Sequence, residues 1–314
     1  MPKDKPTVVL GIDGGGTKTE AVLLDMRGEV LSVGTGGPTN LAYVTQEVAN
    51  GSVEDAVLQA LRESSSSVED VALIGRCFVG GKPTQCIVSR LGYRGDTIVY
   101  GEGQVVFARA GIYALRGVAV VAGTGSAFFA FDGQERGFRV GGWGPIAGEE
   151  GSGFDIGLRG IRAAARALDG RGPDTLLLPR VLEHYQVATI WDVLARYCRP
   201  TIDQREVAGC AKVVTAAAIE GDEVAKGIVA AAAESLTSDI IFAAGRFFQP
   251  SDEFPVVLGG GVFSAGRIIT DPVTEGVLAK FPKAMVRLPQ IGPGEAVARL
   301  ALRHLQGGDA SASG

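Results

Sequence analysis

Gly11-Ile12-Asp13-Gly14-Gly15-Gly16-Thr17-Lys18-Thr19 closes an apolar, β-branched run that begins at Thr7. Residues 7–12 read as a buried strand that delivers a carboxylate, Asp13, to its end. Gly14, Gly15 and Gly16 then leave backbone N–H groups bare, and the polar side chains of Thr17, Lys18 and Thr19 follow at once. Bare N–H groups and hydroxyls are what a phosphate chain needs. An Asp beside them can hold Mg2+, usually through water. A glycine-rich hairpin with a polar turn is the competing reading, although a tight hairpin spends only about two residues on its turn. The GxxxxGK[ST] spacing of a Walker A loop is missing.

Working outward, residues 20–24 and 29–33 read as strands around the turn-like Asp25-Met26-Arg27-Gly28. Val53, Ala56, Val57, Ala60 and Leu61 share the spacing of one helical face. A strand at 71–74, a helix near 84–91, a strand at 97–100 and a helix at 103–114 follow. At Gly117 the pattern resets. A strand at 118–122 runs into Gly123-Thr124-Gly125-Ser126, and strands at 127–131 and 137–140 flank Asp132-Gly133. Residues 151–248 are mostly helical. A strand at 256–258 stops at Gly259-Gly260-Gly261, with a helix from near Ser264; a strand at 285–288 and a helix at 295–305 end the pattern. Two halves that each open with strand, glycine turn and strands suggest a duplicated α/β architecture with a cleft between lobes. Such sheets hold ligands at the carboxyl ends of their strands.

Glycine numbers 46 of the 314 residues, clustered at 14–16, 34–37, 80–81, 141–144, 148–153 and 259–261. Clustered glycine signals positive φ or close backbone approach. Thr124, Gly125 and Ser126 make a second candidate phosphate clamp, although a plain tight turn would look the same. Gly260 and Gly261 could lie against an adenine ring, or simply turn a strand into a helix. The segment from Gly141 to Gly153 sets Trp143, Glu149 and Glu150 among glycines, as a polar substrate pocket would; the two carboxylates could equally favour a helix N-terminus.

A net charge of −5 without any run of basic residues argues against a nucleic-acid surface. The N-terminus lacks the apolar core of a signal peptide. The longest charge-free apolar stretch, 117–131, is shorter than the roughly 20 residues a bilayer takes. Cys77, Cys86, Cys198 and Cys210 form no CxxC pair, so reduced thiols in a cytoplasmic enzyme are expected rather than a zinc or iron–sulfur site. His184 and His304 read as solvated or core-edge residues, Trp191 as packing at a helix start, and the alanine-rich helix around 230–233 as core.

In this order the four segments resemble the actin-like ATPase superfamily and, within it, the BadF/BadG/BcrA/BcrD ATPase family, nearest its N-acetylglucosamine and glucosamine kinases. The resemblance runs from Val8 to about Leu302. It implies an α/β, actin-like (ribonuclease H-like) duplicated fold: residues 1–116 as one lobe, 117–293 as the other, a helix at 294–306 returning to the first, and a disordered tail at 307–314. It implies an ATP-dependent kinase for a hydroxyl of an amino sugar such as N-acetylglucosamine or glucosamine, with Mg2+ as cofactor and a homodimer as a possible assembly. Asp13 would hold the hydrated Mg2+, and Gly14, Gly15, Gly16, Thr17 and Lys18 would face phosphate with Thr124, Gly125 and Ser126. Gly260 and Gly261 would meet the adenosine. Asn40, in Pro38-Thr39-Asn40, would join Gly142, Trp143 and Glu149 around the sugar.

Two departures stand out. The family places an Asp as catalytic base after the strand at 97–100, where this chain has Glu102; its sugar-pocket Asp is matched by Glu149. A sister activity in the superfamily, ATP-driven activation of dehydratases, uses a cysteine followed by two glycines, which none of the four cysteines is. A sugar sensor without turnover is the remaining alternative.

Overall fold

The computed structural model describes residues 7–78, 90–134, 136–197 and 203–307. The expected helix at 84–91, Cys86, Cys198 and the tail at 307–314 fall wholly or largely outside them. The chain divides into two compact units, one comprising Met1–Leu115 with Leu288–Gly314 and the other Arg116–Arg287.

The first unit holds a five-stranded sheet in the order β3-β2-β1-β4-β5. Its strands are β1 (Val8–Gly14), β2 (Thr19–Asp25), β3 (Val30–Gly36), β4 (Val71–Phe78) and β5 (Asp96–Val99). β1, β2 and β3 form an antiparallel meander, while β4 and β5 run parallel to β1. Period-2 alternation on β1 assigns its faces. Val8, Leu10 and Ile12 pack with Val53, Ala56, Val57 and Ala60 of helix α1 (Gln46–Glu63). Val9 faces the other way, into a cluster with helices α2 (Glu102–Arg109) and α10 (Pro293–Leu305). Gly11 and Asp13 share that second face.

Three glycine positions are dictated by helix approach. On β3, a Cβ at Gly34 or Gly36 would strike the α1 backbone at Ala56 or Ser52. On β1, a Cβ at Gly11 would strike the α10 backbone at Ala298 and Gly294. No rotamer relieves a clash between backbone and Cβ. Gly11→Ala is therefore expected to cost about 3 kcal/mol or more, read as a lowered urea midpoint by far-UV circular dichroism. An unchanged midpoint would show that α10 can lift from the sheet without loss.

The second unit repeats the topology as β10-β9-β6-β7-β8. These strands are β6 (Arg116–Ala122), β7 (Ser126–Asp132), β8 (Gly137–Gly141), β9 (Pro255–Gly259) and β10 (Met285–Arg287). β6, β7 and β8 are antiparallel, and β9 and β10 are parallel to β6. Between β8 and β9 the described helices are α3 (Gly153–Leu168), α4 (Leu177–Tyr185), α5 (Ile190–Tyr197), α6 (Gln204–Gly209), α7 (Ala211–Ile219) and α8 (Glu223–Ala244), and α9 (Arg267–Lys280) follows β9. By length and composition α8 could cross a membrane. Its Val229, Ala232, Ala233, Leu236 and Ile240 are instead buried in the core of this unit.

Several sequence expectations are corrected. The strand expected at 7–12 continues to Gly14, because Asp13 and Gly14 pair with Glu20 and Thr19. The helix expected at 103–114 ends at Arg109, where Gly111 takes φ +71°. The helix expected from Ser264 starts at Arg267, after a 3-10 turn over Gly261–Ala265. Trp191 does not pack: it is 77% exposed, because the buried stripe of α5 runs through Ile190 and Val193. His184 and His304 are exposed, and Cys77 and Cys210 are buried free thiols.

Candidate active site

In the first unit the site begins where β1 turns into β2. The Gly15 N–H donates to the Lys18 carbonyl at 3.1 Å, closing a four-residue loop. The glycine-rich hairpin and the candidate phosphate loop are thus one structure. A Cβ on Gly15 would meet nothing within 4 Å, so the backbone there is open. The Gly15 carbonyl accepts from the N–H groups of Thr39 and Asn40 at 2.9 and 3.2 Å. This places Asn40 beside the loop. Its Oδ1 accepts from the Ala42 N–H at 2.9 Å, an Asx turn that fixes the side chain. Gly14 packs on Thr39 and Phe78, and Gly16 faces the Tyr43 ring. Thr17 and Lys18 are exposed, and Lys18 Nζ lies 3.2 Å from Glu20 Oε2.

The hairpin register sets Glu20 directly opposite Asp13, and β4 sets Cys77 on its other side. Burial, then Glu20, push the Asp13 pKa up to about 7; Arg109 opposes them, and Glu102 adds to them. Glu102 sits in the first turn of α2 behind Gly101, whose N–H donates to Gln104 Oε1 at 2.7 Å. Arg109, at the far end of α2, donates from Nε to the Ile291 carbonyl at 3.1 Å, and its own carbonyl accepts from the Gln290 N–H at 2.8 Å. Glu20 Oε1 accepts from the Gly294 N–H at 3.0 Å, at the positive end of α10. Three carboxylates thus act on one another near the end of β1 against the Arg109 guanidinium and the exposed Lys18 ammonium, a balance short of one positive charge.

That shortage fits a divalent cation. Among the described residues no three His, Cys, Asp or Glu side chains are grouped to enclose a metal directly. Asp13 is the carboxylate that would hold such an ion, through water.

In the second unit β6 and β9 end side by side, with Val121 paired to Gly259. Gly260 has φ +106°, and a Cβ there would strike the backbone of Ala122, the last residue of β6. The structure thus brings the glycines at 259–261 against the Gly123-Thr124-Gly125-Ser126 turn. Gly261 faces open space. The turn is braced by α3: the N–H groups of Gly153 and Phe154 donate to the carbonyls of Gly123 and Thr124 at 2.8 and 3.1 Å. Ser126 is buried, and its Oγ donates to the Glu150 carbonyl at 3.0 Å.

The loop that follows β8 is built on left-handed glycines, with φ of +69° at Gly141, +70° at Gly142 and +89° at Gly144. It projects Trp143, 74% exposed, with the Arg139 guanidinium 5.7 Å from its ring centre. Glu149 lies against Gly125, and Glu150 is exposed. Burial raises the Glu149 pKa above the usual carboxyl value; a hydrogen bond with the Gly144 backbone opposes this, and Glu150 adds to it. A groove of about 410 Å³ elsewhere in this unit, lined by Val229, Ala233, Ile268 and Pro272, contains none of the expected site residues.

Sequence reasoning missed Glu20, Cys77, Arg109 and Tyr43. Glu20 was within reach, because a four-residue loop after Gly14 fixes the Asp13–Glu20 pair. Cys77 and Arg109 come from distant segments, and Tyr43, although close to Asn40 in sequence, carries no local signature.

Residues 10–291 match the family model described as the BadF/BadG/BcrA/BcrD ATPase family. The N-acetylmuramic acid/N-acetylglucosamine kinase of Clostridium acetobutylicum is 29% identical, over 88% of this chain and 92% of its own length. The N-acetyl-D-glucosamine kinase of Dictyostelium discoideum is 26% identical, over 94% and 98%. A crystal structure of a candidate N-acetylglucosamine kinase from Chromobacterium violaceum shares the fold, with a TM-score of 0.74 at 24% identity over 94% of this chain and 99% of that one. The family match spans the Asp13 turn, the Gly123–Ser126 turn and the glycines at 259–261, and the chain belongs to the BadF/BadG/BcrA/BcrD ATPase family.

Proposed function

We propose that this chain is an ATP-dependent kinase that phosphorylates a hydroxyl of an amino sugar such as N-acetylglucosamine or glucosamine. The observation that carries the reading is the pairing of two carboxylates of different placement: Asp13 at a strand end beside a bare glycine turn, and Glu102 at the N-terminus of α2, close enough to raise the Asp13 pKa. The curated relatives, named as kinases of these sugars, support the acceptor class.

In this mechanism Glu102 accepts the proton of the acceptor hydroxyl, whose oxygen attacks the γ-phosphorus as the bond to the β-phosphate oxygen breaks. The open backbone at Gly15 and the turn at Gly125 face the phosphates, and the hydroxyls of Thr17 and Thr124 donate to them. Lys18 adds a positive charge, Gly260 and Gly261 take the adenosine, and Asn40, Gly142 and Trp143 orient the sugar. Mg2+, held through water by Asp13, would neutralise charge on the phosphates. Phosphoryl transfer needs little beyond such positioning and electrostatic stabilisation. The buried free thiols Cys77 and Cys210 suit a cytoplasmic setting.

The test is release of ADP from Mg-ATP with glucosamine, N-acetylglucosamine, N-acetylmuramic acid, glucose or no sugar. One amino sugar is expected to stimulate release at least tenfold over the sugar-free rate. Equal rates across the panel would refute the acceptor class.

A further inference from the structure

Glu149 is placed by its motif among the acceptor contacts, yet in the structure its carboxylate lies on the turn between β6 and β7. A Cβ on Gly125 would stand 2.7 Å from the Glu149 carboxyl carbon and 3.0 Å from Oε2. Oε2 is buried and has no hydrogen-bond partner among the described residues. A buried carboxylate oxygen without a donor carries its full desolvation cost. The carboxylate's hydrogen bond is with the Gly144 backbone, so Oε2 is the oxygen left to take a donor. The backbone on both sides is pinned: Ser126 Oγ donates to the Glu150 carbonyl at 3.0 Å, and the Gly153 N–H donates to the Gly123 carbonyl at 2.8 Å. Departure of the carboxylate from Gly125 is thus a side-chain rotation.

We propose that Glu149 guards the phosphate turn: without acceptor its carboxylate fills the space beside Gly125 that a nucleotide phosphate would take, and an acceptor hydroxyl donating to it draws it away. The inference rests on residues 123–126 binding phosphate. Two anions in one low-dielectric space repel strongly, so the nucleotide and the Glu149 carboxylate compete for the turn. An acceptor that binds Glu149 in its withdrawn position shifts the population toward the open turn. The nucleotide must strengthen acceptor binding by the same factor. The guard would also limit phosphoryl transfer to water, the competing acceptor, while no sugar is present.

The test is calorimetric binding of Mg-AMP-PNP to the full chain, with no acceptor, for wild type, Glu149→Gln and Glu149→Ala. The Gln variant keeps the volume and removes the charge; the Ala variant removes both, and thermal melts confirm that each is folded. Both variants are expected to bind the nucleotide analogue about tenfold more tightly than wild type. Tighter binding by the Ala variant alone would keep the guard and make bulk, not charge, its means. If neither variant binds more tightly than wild type, the guard does not exist. The measurement involves no acceptor and no turnover, so an acceptor panel without stimulation would sink the kinase reading and leave this result intact.

Discussion

Glu102→Gln is expected to lower kcat with the preferred sugar by about 10²–10⁴-fold, the usual contribution of a positioned general base. Gln fills the same volume and can occupy the same first turn of α2, so the fold and the substrate contacts persist. What is lost is the ability to accept the hydroxyl proton as the oxygen attacks. KM should move little, because the proton transfer belongs to the transition state rather than to ground-state binding. Glu102→Asp is the informative companion, since it keeps the carboxylate and shortens only its reach. Shortening the side chain withdraws the carboxylate by about 1 Å, a misplacement that can cost about 10²-fold. A Glu102→Gln enzyme with wild-type kcat would remove Glu102 from the chemistry, whatever Glu102→Asp did.

Asp13→Asn is expected to reduce kcat/KM by about 10³-fold or more, because the cation that neutralises the phosphates loses its carboxylate. The same substitution is expected to make the metal-free protein more stable. Asp13 has its pKa raised from 3.8 to about 7 by burial and by Glu20. A carboxyl with its folded pKa above the unfolded value binds its proton more tightly in the folded chain. That stabilisation is complete below about pH 4 and is lost as the pH climbs through 7, so at pH 8 the ionised Asp13 is a burden. Linkage puts the burden on the order of 4 kcal/mol. Melts in chelator should therefore show Asp13→Asn several degrees above wild type at pH 8, with the gap closing toward pH 4. Millimolar Mg2+ should raise the wild-type melting temperature at pH 8 and leave that of Asp13→Asn unmoved. A variant that melts at or below wild type at pH 8 would mean that Asp13 is not held ionised against its surroundings.

Both predictions concern residues that the sequence singled out, and the reason lies in local covalent order. A short β-branched run bounded by glycines reads as a buried strand, an acid near its end sits beside the turn that follows, and three glycines cannot cover that turn with side chains. Those facts hold within about ten residues, and they also exposed the second turn at 123–126 and the break before Gly259. The repeat of one topology in two units was legible for the same reason, since each strand carries its own period. Glycine clustering was a sound signal with two meanings that sequence cannot separate. At Gly141, Gly142, Gly144 and Gly260 the backbone is left-handed, whereas at Gly34 and Gly36 it is extended and the helix backbone lies against the missing Cβ.

Only the tertiary structure decided who surrounds Asp13. Glu20 arrives by hairpin register, Cys77 by a parallel crossover, Arg109 from the far end of α2, and the positive end of α10 from the last segment of the chain. Likewise Glu149 could be read as a pocket residue, but not as one lying on Gly125, because that contact depends on how the start of α3 docks onto the turn. The sequence by itself determined the strands, the bare turns and the acids that end beside them, since these follow from side-chain size and period. The charge balance and the occupied space around those acids were set by folding, since the carboxylates and guanidinium that act on one another come from segments whose spacing along the chain says nothing of their distance.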